Sequence, residues 1–213
     1  MLSIQKPVLP CVLLSAMFVV ACGSSSNSAS NGAPSGSAAG GGAGSKQSAG
    51  AGALSADARS AATGDIPDNQ VFLVFTDKGA GYSIKYPEGW TQSGAGRSVT
   101  FRDKNNLVHV QIGSGTVPTP STVAAQLRAL ERTNHTLSFR SPQTMKIASS
   151  HAVKVVYTTD SAPNPVTGKR VKLVVDRYEL SRGAHVVTVD LGTPVGVDNV
   201  DAYRMMIESF RWR

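Results

Sequence analysis

Residues 81–90 read GYSIKYPEGW and carry a more specific pattern than the rest of the chain. Tyr82, Ile84 and Tyr86 alternate with polar residues, which is typical of a strand with one buried face. The proline that follows ends strand pairing because it has no amide hydrogen, and the next glycine permits a turn. We expect Trp90 to fold back as a large buried lid. This stretch therefore predicts a core strand that ends in a turn.

The same alternation recurs on both sides of this stretch and predicts further strands. Glycines lie between these runs, as turn residues do. The predicted strands comprise residues 71–75, 99–101, 108–112, 153–157, 171–180 and 184–191.

Two helices are predicted between and after the strands. In the first, Thr119 can cap, Pro120 suits the first helical position, and Val123, Leu127 and Leu130 recur at helical spacing. The order of strands, helix, strands and helix favours an α+β fold with an antiparallel sheet over βαβ units.

The last helix is predicted near the end of the chain. Asp198 can cap it, and Val200, Tyr203, Ile207 and Phe210 form its apolar stripe. Between the two helices, the proline-containing segment 160–168 is expected to be the tip of a long hairpin.

Residues 81–90 and the C-terminal segment 203–211, YRMMIESFR, together resemble the PsbP-like family. This family comprises extrinsic proteins of the oxygen-evolving complex and bacterial relatives, many of them lipoproteins. The resemblance covers about residues 75–213 and implies an α-β-α sandwich, an antiparallel sheet flanked by helices. It does not imply a photosynthetic role here, and it leaves the function open.

The composition divides the chain of 213 residues into three parts. Residues 65–213 have the length of one ordinary domain. In residues 23–64, Gly, Ser and Ala make up 33 of 42 positions, too few large apolar side chains to offset the entropy of ordering. We therefore expect residues 22–64 to be a disordered tether that begins at Cys22. A disordered partner-binding segment is the alternative.

Residues 1–21 are predicted to be a signal peptide, because the apolar run 8–20 is too short to span a bilayer. The run ends Val19-Val20-Ala21-Cys22, which resembles the bacterial lipoprotein signal. That resemblance implies cleavage before Cys22 and lipid on its sulfur, which would anchor the protein on the extracytoplasmic side of the cell membrane. A plain secretory signal with an incidental cysteine is the alternative.

No motif for catalysis, a cofactor or a metal occurs in the sequence, so we predict no catalytic, cofactor-binding or metal-binding residue. His185 shares a face with apolar residues and is expected in the core, whereas His109 is expected at the surface or in a groove. His135 and His151 show no spacing that would form a metal site.

The formal net charge is +7, and Lys169, Arg170 and Lys172 form the densest basic run. These residues are either a solvated strand edge or a surface for anionic lipid headgroups or an acidic envelope protein. Nucleic acid is not expected as a partner outside the cytoplasm.

The sequence thus predicts a membrane-anchored exported lipoprotein with a non-catalytic binding or scaffold domain and an envelope protein as partner. One alternative is a carrier or sensor of a small ligand held between sheet and helix. An envelope hydrolase is a further alternative, although nothing in the sequence brings Ser, His and Asp together.

Overall fold

The structure is a computed structural model that describes residues 64–148 and 150–213. Cys22 and the predicted tether up to residue 63 lie outside the described residues. The strands are β1 Phe72–Asp77, β2 Tyr82–Pro87, β3 Thr91–Ala95, β4 Ser98–Asp103, β5 Asn106–Ser114, β6 Ser138–Phe139, β7 Gln143–Ile147, β8 Ser150–Asp160, β9 Lys172–Arg182, β10 His185–Pro194 and β11 Arg211–Trp212. The helices are α1 Pro120–Glu131 and α2 Val200–Glu208.

These strands form two antiparallel sheets. The larger has eight strands in the order β3-β4-β5-β10-β9-β8-β6, with β7 also paired to β8. The smaller has the order β1-β2-β11. The long hairpin predicted around residues 160–168 connects β8 to β9. The α+β class with an antiparallel sheet is therefore confirmed.

One face of the large sheet, here called the core face, is almost entirely apolar and meets α2 and β2. Tyr203, Met206 and Ile207 of α2 and Tyr82 and Ile84 of β2 are all buried against it. Trp90 is buried in the same cluster, as residues 81–90 predict. The sheet contributes Val99, Phe101, Val108, Val110, Ile112, Ala152, Tyr178, Leu180, Val187, Val189 and Leu191.

The opposite face, here called the α1 face, receives the first helix. Val123 and Leu127 of α1 pack with Val153 and Val155 of β8 and with Val175 of β9. Thr119 caps α1 and Pro120 occupies its first turn, as predicted. The two helices thus lie on opposite faces of the sheet, which is the predicted α-β-α arrangement.

Three side chains depart from the predicted burial. Leu130 is 41% exposed because it lies in the last turn of α1, beyond the buried Val123 and Leu127. Val200 is 63% exposed because it is the first residue of α2, and Met206 takes its place in the stripe. His185 is exposed, not in the core, because it begins β10 immediately after the tight turn from β9.

Buried amide side chains hold the start of the described domain in place. Asn106 and Asn199 both donate to the carbonyl of Gly64. Asn199 also accepts from the amide of Ile66 at 2.7 Å and donates to the hydroxyl of Thr193 at 3.0 Å. Because these groups satisfy one another, both asparagines are buried without an unpaired polar atom.

Across residues 64–148 and 150–213, we find no helix that is both long and apolar enough to cross a membrane.

Candidate functional site

Helix α1 packs on β8 and β9, and no other helix of residues 64–148 and 150–213 packs on the α1 face. On β4, β5 and β10 this face presents polar side chains, and apart from the buried Asp190 each of them is exposed or half-buried. We call this surface the open half, and it consists of Thr100, Arg102, His109, Gln111 and Thr188. Polar side chains here cost little folding stability, because water reaches them.

Two grooves border the open half. The Tyr157 groove has a volume of about 420 Å³, and the residues that matter for its chemistry are Arg102, His109, Asn134, Tyr157, Thr159 and Asp190. The Glu179 groove has a volume of about 480 Å³ and is lined by Gln111, Thr122, Gln126, Glu179, Val186 and Thr188, among others. Both volumes fall in the range of small-ligand sites.

A buried ion pair joins β9 to β10 at the Tyr157 groove. Arg177 Nε lies 2.7 Å from Asp190 Oδ1, and Arg177 Nη2 lies 2.8 Å from Asp190 Oδ2, so the pair is bidentate. The two side chains are only 13% and 8% exposed. The guanidinium also lies 5.3 Å from the centre of the Tyr157 ring, within cation–π range. Burial raises the pKa of Tyr157, with a further contribution from the charge of Asp190.

His109 lies beside this pair but does not join it. Burial lowers the pKa of His109, which favours the neutral imidazole. Its Nε2 atom lies 3.3 Å from Ser98 Oγ. Arg177 engages both carboxylate oxygens of Asp190, and no hydrogen bond joins His109 to Asp190 within the described chain. A serine nucleophile here would therefore lack the carboxylate that orients the histidine in a catalytic triad.

Glu179 lies at the floor of the Glu179 groove, opposite Thr188 on β10. It is only 2% exposed, and burial raises its pKa. The charge of Arg177 and a hydrogen bond from Gln126 act in the opposite direction. Glu179 forms no ion pair within residues 64–148 and 150–213, because Arg177 is held by Asp190.

The structure places the predicted basic residues near the Tyr157 groove. Arg170 Nη1 donates to the carbonyl of Ser161 at 2.7 Å, and Lys172 Nζ lies 3.2 Å from Asp160 Oδ1. Ser161 and Asp160 both line that groove. Lys169 is exposed. Two of the three predicted cations therefore contact residues that line the groove.

The buried charges of the site are absent from the sequence predictions. Arg177 and Glu179 alternate with apolar residues along β9, and Asp190 interrupts an apolar run in β10. A charged residue at a regular interior position of a long strand is the signal that could have located them. Their partners depend on the pairing of β9 with β10, which the sequence pattern does not specify.

No group of three or more His, Cys, Asp or Glu side chains in the described part of the chain could hold a metal ion.

Comparison with known proteins rests on structure, since no family model and no curated protein sequence matches the chain. A crystal structure from Bacteroides thetaiotaomicron is 15% identical with a TM-score of 0.44, covering 66% of this chain and 48% of its own. This chain thus spans about half of that protein.

Two further similar structures are matched over nearly their whole length. The cyanobacterial PsbP (CyanoP) from Synechocystis is 15% identical with a TM-score of 0.46, covering 70% of this chain and 98% of its own. The Ran-binding protein Mog1p from Saccharomyces cerevisiae is 10% identical with a TM-score of 0.43, covering 68% and 96%.

A PsbP is thus among the structures that this chain is similar to. At these identities and TM-scores, the similarity says nothing about function, which has to be inferred from the chain's own residues.

Proposed function

We propose that this chain is an exported, lipid-anchored protein whose folded domain binds a protein partner in the cell envelope without catalysis. The open half of the α1 face and its two grooves form the binding surface. The lipid anchor at Cys22 and the tether of residues 22–64 keep that surface close to the membrane on its extracytoplasmic side.

The observation that carries the proposal is the chemistry of the open half. Its side chains are polar, and the charges of Asp190 and Glu179 are buried at the borders of the two grooves, with the half-buried Arg177 paired to Asp190. Buried ion pairs are frequently neutral for stability compared with apolar residues of similar volume, so stability alone does not account for them. Fixed charges under an accessible polar surface suit the recognition of a polar partner.

The proposed surface can be tested by site-specific crosslinking in intact membranes. A photocrosslinking amino acid in place of Gln111, which is exposed on the open half, should give a discrete adduct with the partner. The same amino acid in place of Arg204, exposed on α2 beyond the opposite face, is the matched control. An adduct of equal yield at both positions, or none at Gln111, would contradict the proposal.

The proposed anchor rests on Val19-Val20-Ala21-Cys22. Cys22→Ser should move the protein from the membrane fraction into the medium, because acyl chains supply the membrane affinity. Fractionation and immunoblotting measure this change. A membrane fraction that is unchanged in the variant would refute the anchor.

The basic run is proposed to meet anionic headgroups or an acidic partner. Lys169 is the residue to change, since Arg170 and Lys172 also make contacts within the domain. Lys169→Glu should weaken attachment of the lipid-free protein to phosphatidylglycerol vesicles, and Lys146→Glu, on β7, serves as the control. Equal attachment of native protein and Lys169→Glu would rule out this role.

Carriage of a small ligand is the second candidate, and the volumes of the two grooves favour it. Both tryptophans belong to the core cluster or pack against it, so an aromatic lining for an apolar ligand is not built from them. If the grooves hold the small ligand of a carrier protein, native mass spectrometry of the purified protein should reveal a co-purified small molecule.

A further inference from the structure

Glu179 is a buried carboxylate at the floor of a groove that otherwise lacks charge. The floor crosses three neighbouring strands, with Gln111 on β5, Thr188 on β10 and Glu179 on β9. Helix α1 forms one wall through Thr122 and Gln126. No Lys, Arg or His side chain among the described residues lines this groove.

The charge of Glu179 is not compensated by an ion pair within the described residues. Its neighbour Arg177 on the same face makes a bidentate pair with Asp190, so the guanidinium is already engaged and does not pair with Glu179. A hydrogen bond from Gln126 favours the charged form of the carboxylate. A carboxylate that is 98% buried without a cation is costly, and a bound cation would remove much of that cost.

The rest of the lining restricts the kind of cation. Gln111, Gln126, Thr122 and Thr188 offer amide and hydroxyl oxygens that can accept hydrogen bonds. An ammonium group donates up to three hydrogen bonds, one for the carboxylate and others for these oxygens. An anion would meet the repulsion of Glu179, and a purely apolar group would leave the carboxylate without a partner.

We propose that the Glu179 groove receives the primary ammonium group of a lysine side chain from the protein partner, a proposal that rests on the protein-binding function proposed above. Gln111 and Ala125 are exposed at its border, so a side chain can enter from the surface. The stem of the lysine would lie against Val186 and Ala125 while its ammonium group contacts Glu179 at the floor.

The test is an NMR titration of the purified protein with Nα-acetyl-lysine methylamide. Saturable shifts of the backbone amides of Thr188 and Gln126 are expected. The Nε-acetylated compound, which has no charge on the side chain, is the control and should leave these amides unshifted. Equal shifts with both compounds would overturn the proposal.

Two variants identify the carboxylate as the recognising group. Glu179→Gln should weaken lysine binding by about tenfold or more, because a charge-assisted hydrogen bond is lost. Asp201→Asn, at a side chain that is 92% exposed on α2, should bind as the native protein does. Unchanged affinity in Glu179→Gln would overturn the proposal.

Thr188→Lys keeps the test decisive if Glu179→Gln does not fold. It places an ammonium group directly opposite Glu179 across β9 and β10, so it should abolish lysine binding and raise the melting temperature. Retained lysine binding in this variant would contradict the assignment.

Two further results distinguish a partner's lysine from a free amine, and a failure of this inference from a failure of the proposed protein-binding function. Butylammonium that binds as tightly as the lysine compound, with no crosslinked partner at Gln111, would indicate a free amine ligand and overturn the assignment to a partner's lysine. Failure of lysine binding with an intact crosslink at Gln111 would overturn this inference alone and leave the protein-binding function standing.

Discussion

The two faces of the eight-stranded sheet use the same backbone in opposite ways. The core face buries aliphatic and aromatic side chains against α2 and the small sheet. In the described residues, the α1 face buries apolar residues beneath α1 and carries polar side chains elsewhere, with Asp190 and Glu179 buried and Arg177 half-buried at the borders. The core face thus supplies stability through apolar burial, whereas the α1 face buries charged side chains as well as apolar ones.

This difference separates folding from binding within one sheet. Apolar burial stabilises in proportion to the area removed from water, so every buried apolar residue of the core face adds to the fold. A buried ion pair must first recover the cost of removing two charges from water. Changes on the two faces should therefore have different consequences for stability and for binding.

The largest expected effect is a deletion on the core face. Phe101 is fully buried, stacks on Tyr86 at 4.1 Å between ring centres, and meets Phe75 edge-on at 5.4 Å. Phe101→Ala should lower the free energy of unfolding by about 3–5 kcal/mol, because it leaves a cavity between the sheets. Urea denaturation followed by circular dichroism measures this loss. A loss below about 1 kcal/mol would show that the core face is not the main source of stability.

The ion pair provides the matched change on the other face. Arg177→Met should destabilise by about 3–5 kcal/mol, because it leaves Asp190 buried without its partner. The double variant Arg177→Met with Asp190→Leu should return to within about 1 kcal/mol of the native protein. A double variant that is as unstable as the single one would show that the ion pair itself stabilises the fold. The α1 face would then not differ from the core face in this respect.

A smaller effect concerns the pH dependence that Glu179 contributes. Its pKa is raised in the folded protein by burial, while Arg177 lowers it and Asp190 raises it further. The folded state therefore holds this proton more tightly than the unfolded state, and stability falls as pH rises from the ordinary glutamate range through the raised pKa. Glu179→Gln should flatten this fall in a series of denaturation curves between pH 4 and pH 8. Curves that keep the native slope would exclude Glu179 as the source.

The smallest effect tests how α1 is held on its face. Thr119 Oγ1 accepts from the amide of Thr122 at 3.2 Å, and Thr122 Oγ1 accepts from the amide of Thr119 at 2.9 Å. Thr119→Ala should cost about 1 kcal/mol in a thermal melt, since a capping hydrogen bond is lost. Arg128→Ala, at an exposed position in the last turn of α1 away from the cap, is the control. Equal losses in the two variants would show that the cap is not special.

The sequence predicts those parts of the fold that local patterns determine. The strand of residues 82–87, the lid Trp90 and the cap at Thr119 follow from alternation and turn chemistry. Strands β3, β6, β7 and β11 are absent from the predictions, because all four have five residues or fewer and little apolar alternation. Short strands form when a partner strand is already in place, which is a property of the tertiary structure.

The candidate site is less predictable than the fold. Arg170 and Lys172 stand out in the sequence as a basic run, but their contacts with Ser161 and Asp160 appear only in the structure. The site also depends on which strands are neighbours, since the pairing of β10 with both β5 and β9 brings His109, Asp190 and Arg177 into one row. Alternation gives the face of each residue but not the neighbouring strand.

The crosslinking yield at Gln111 in the double variant Arg177→Met with Asp190→Leu tests the central claim most directly. Our account holds that the buried charges of the α1 face serve binding and that the core face serves folding. It predicts a double variant that is folded with near-native stability and whose partner adduct at Gln111 falls at least about tenfold. A folded double variant that forms the adduct at the native yield would contradict the account.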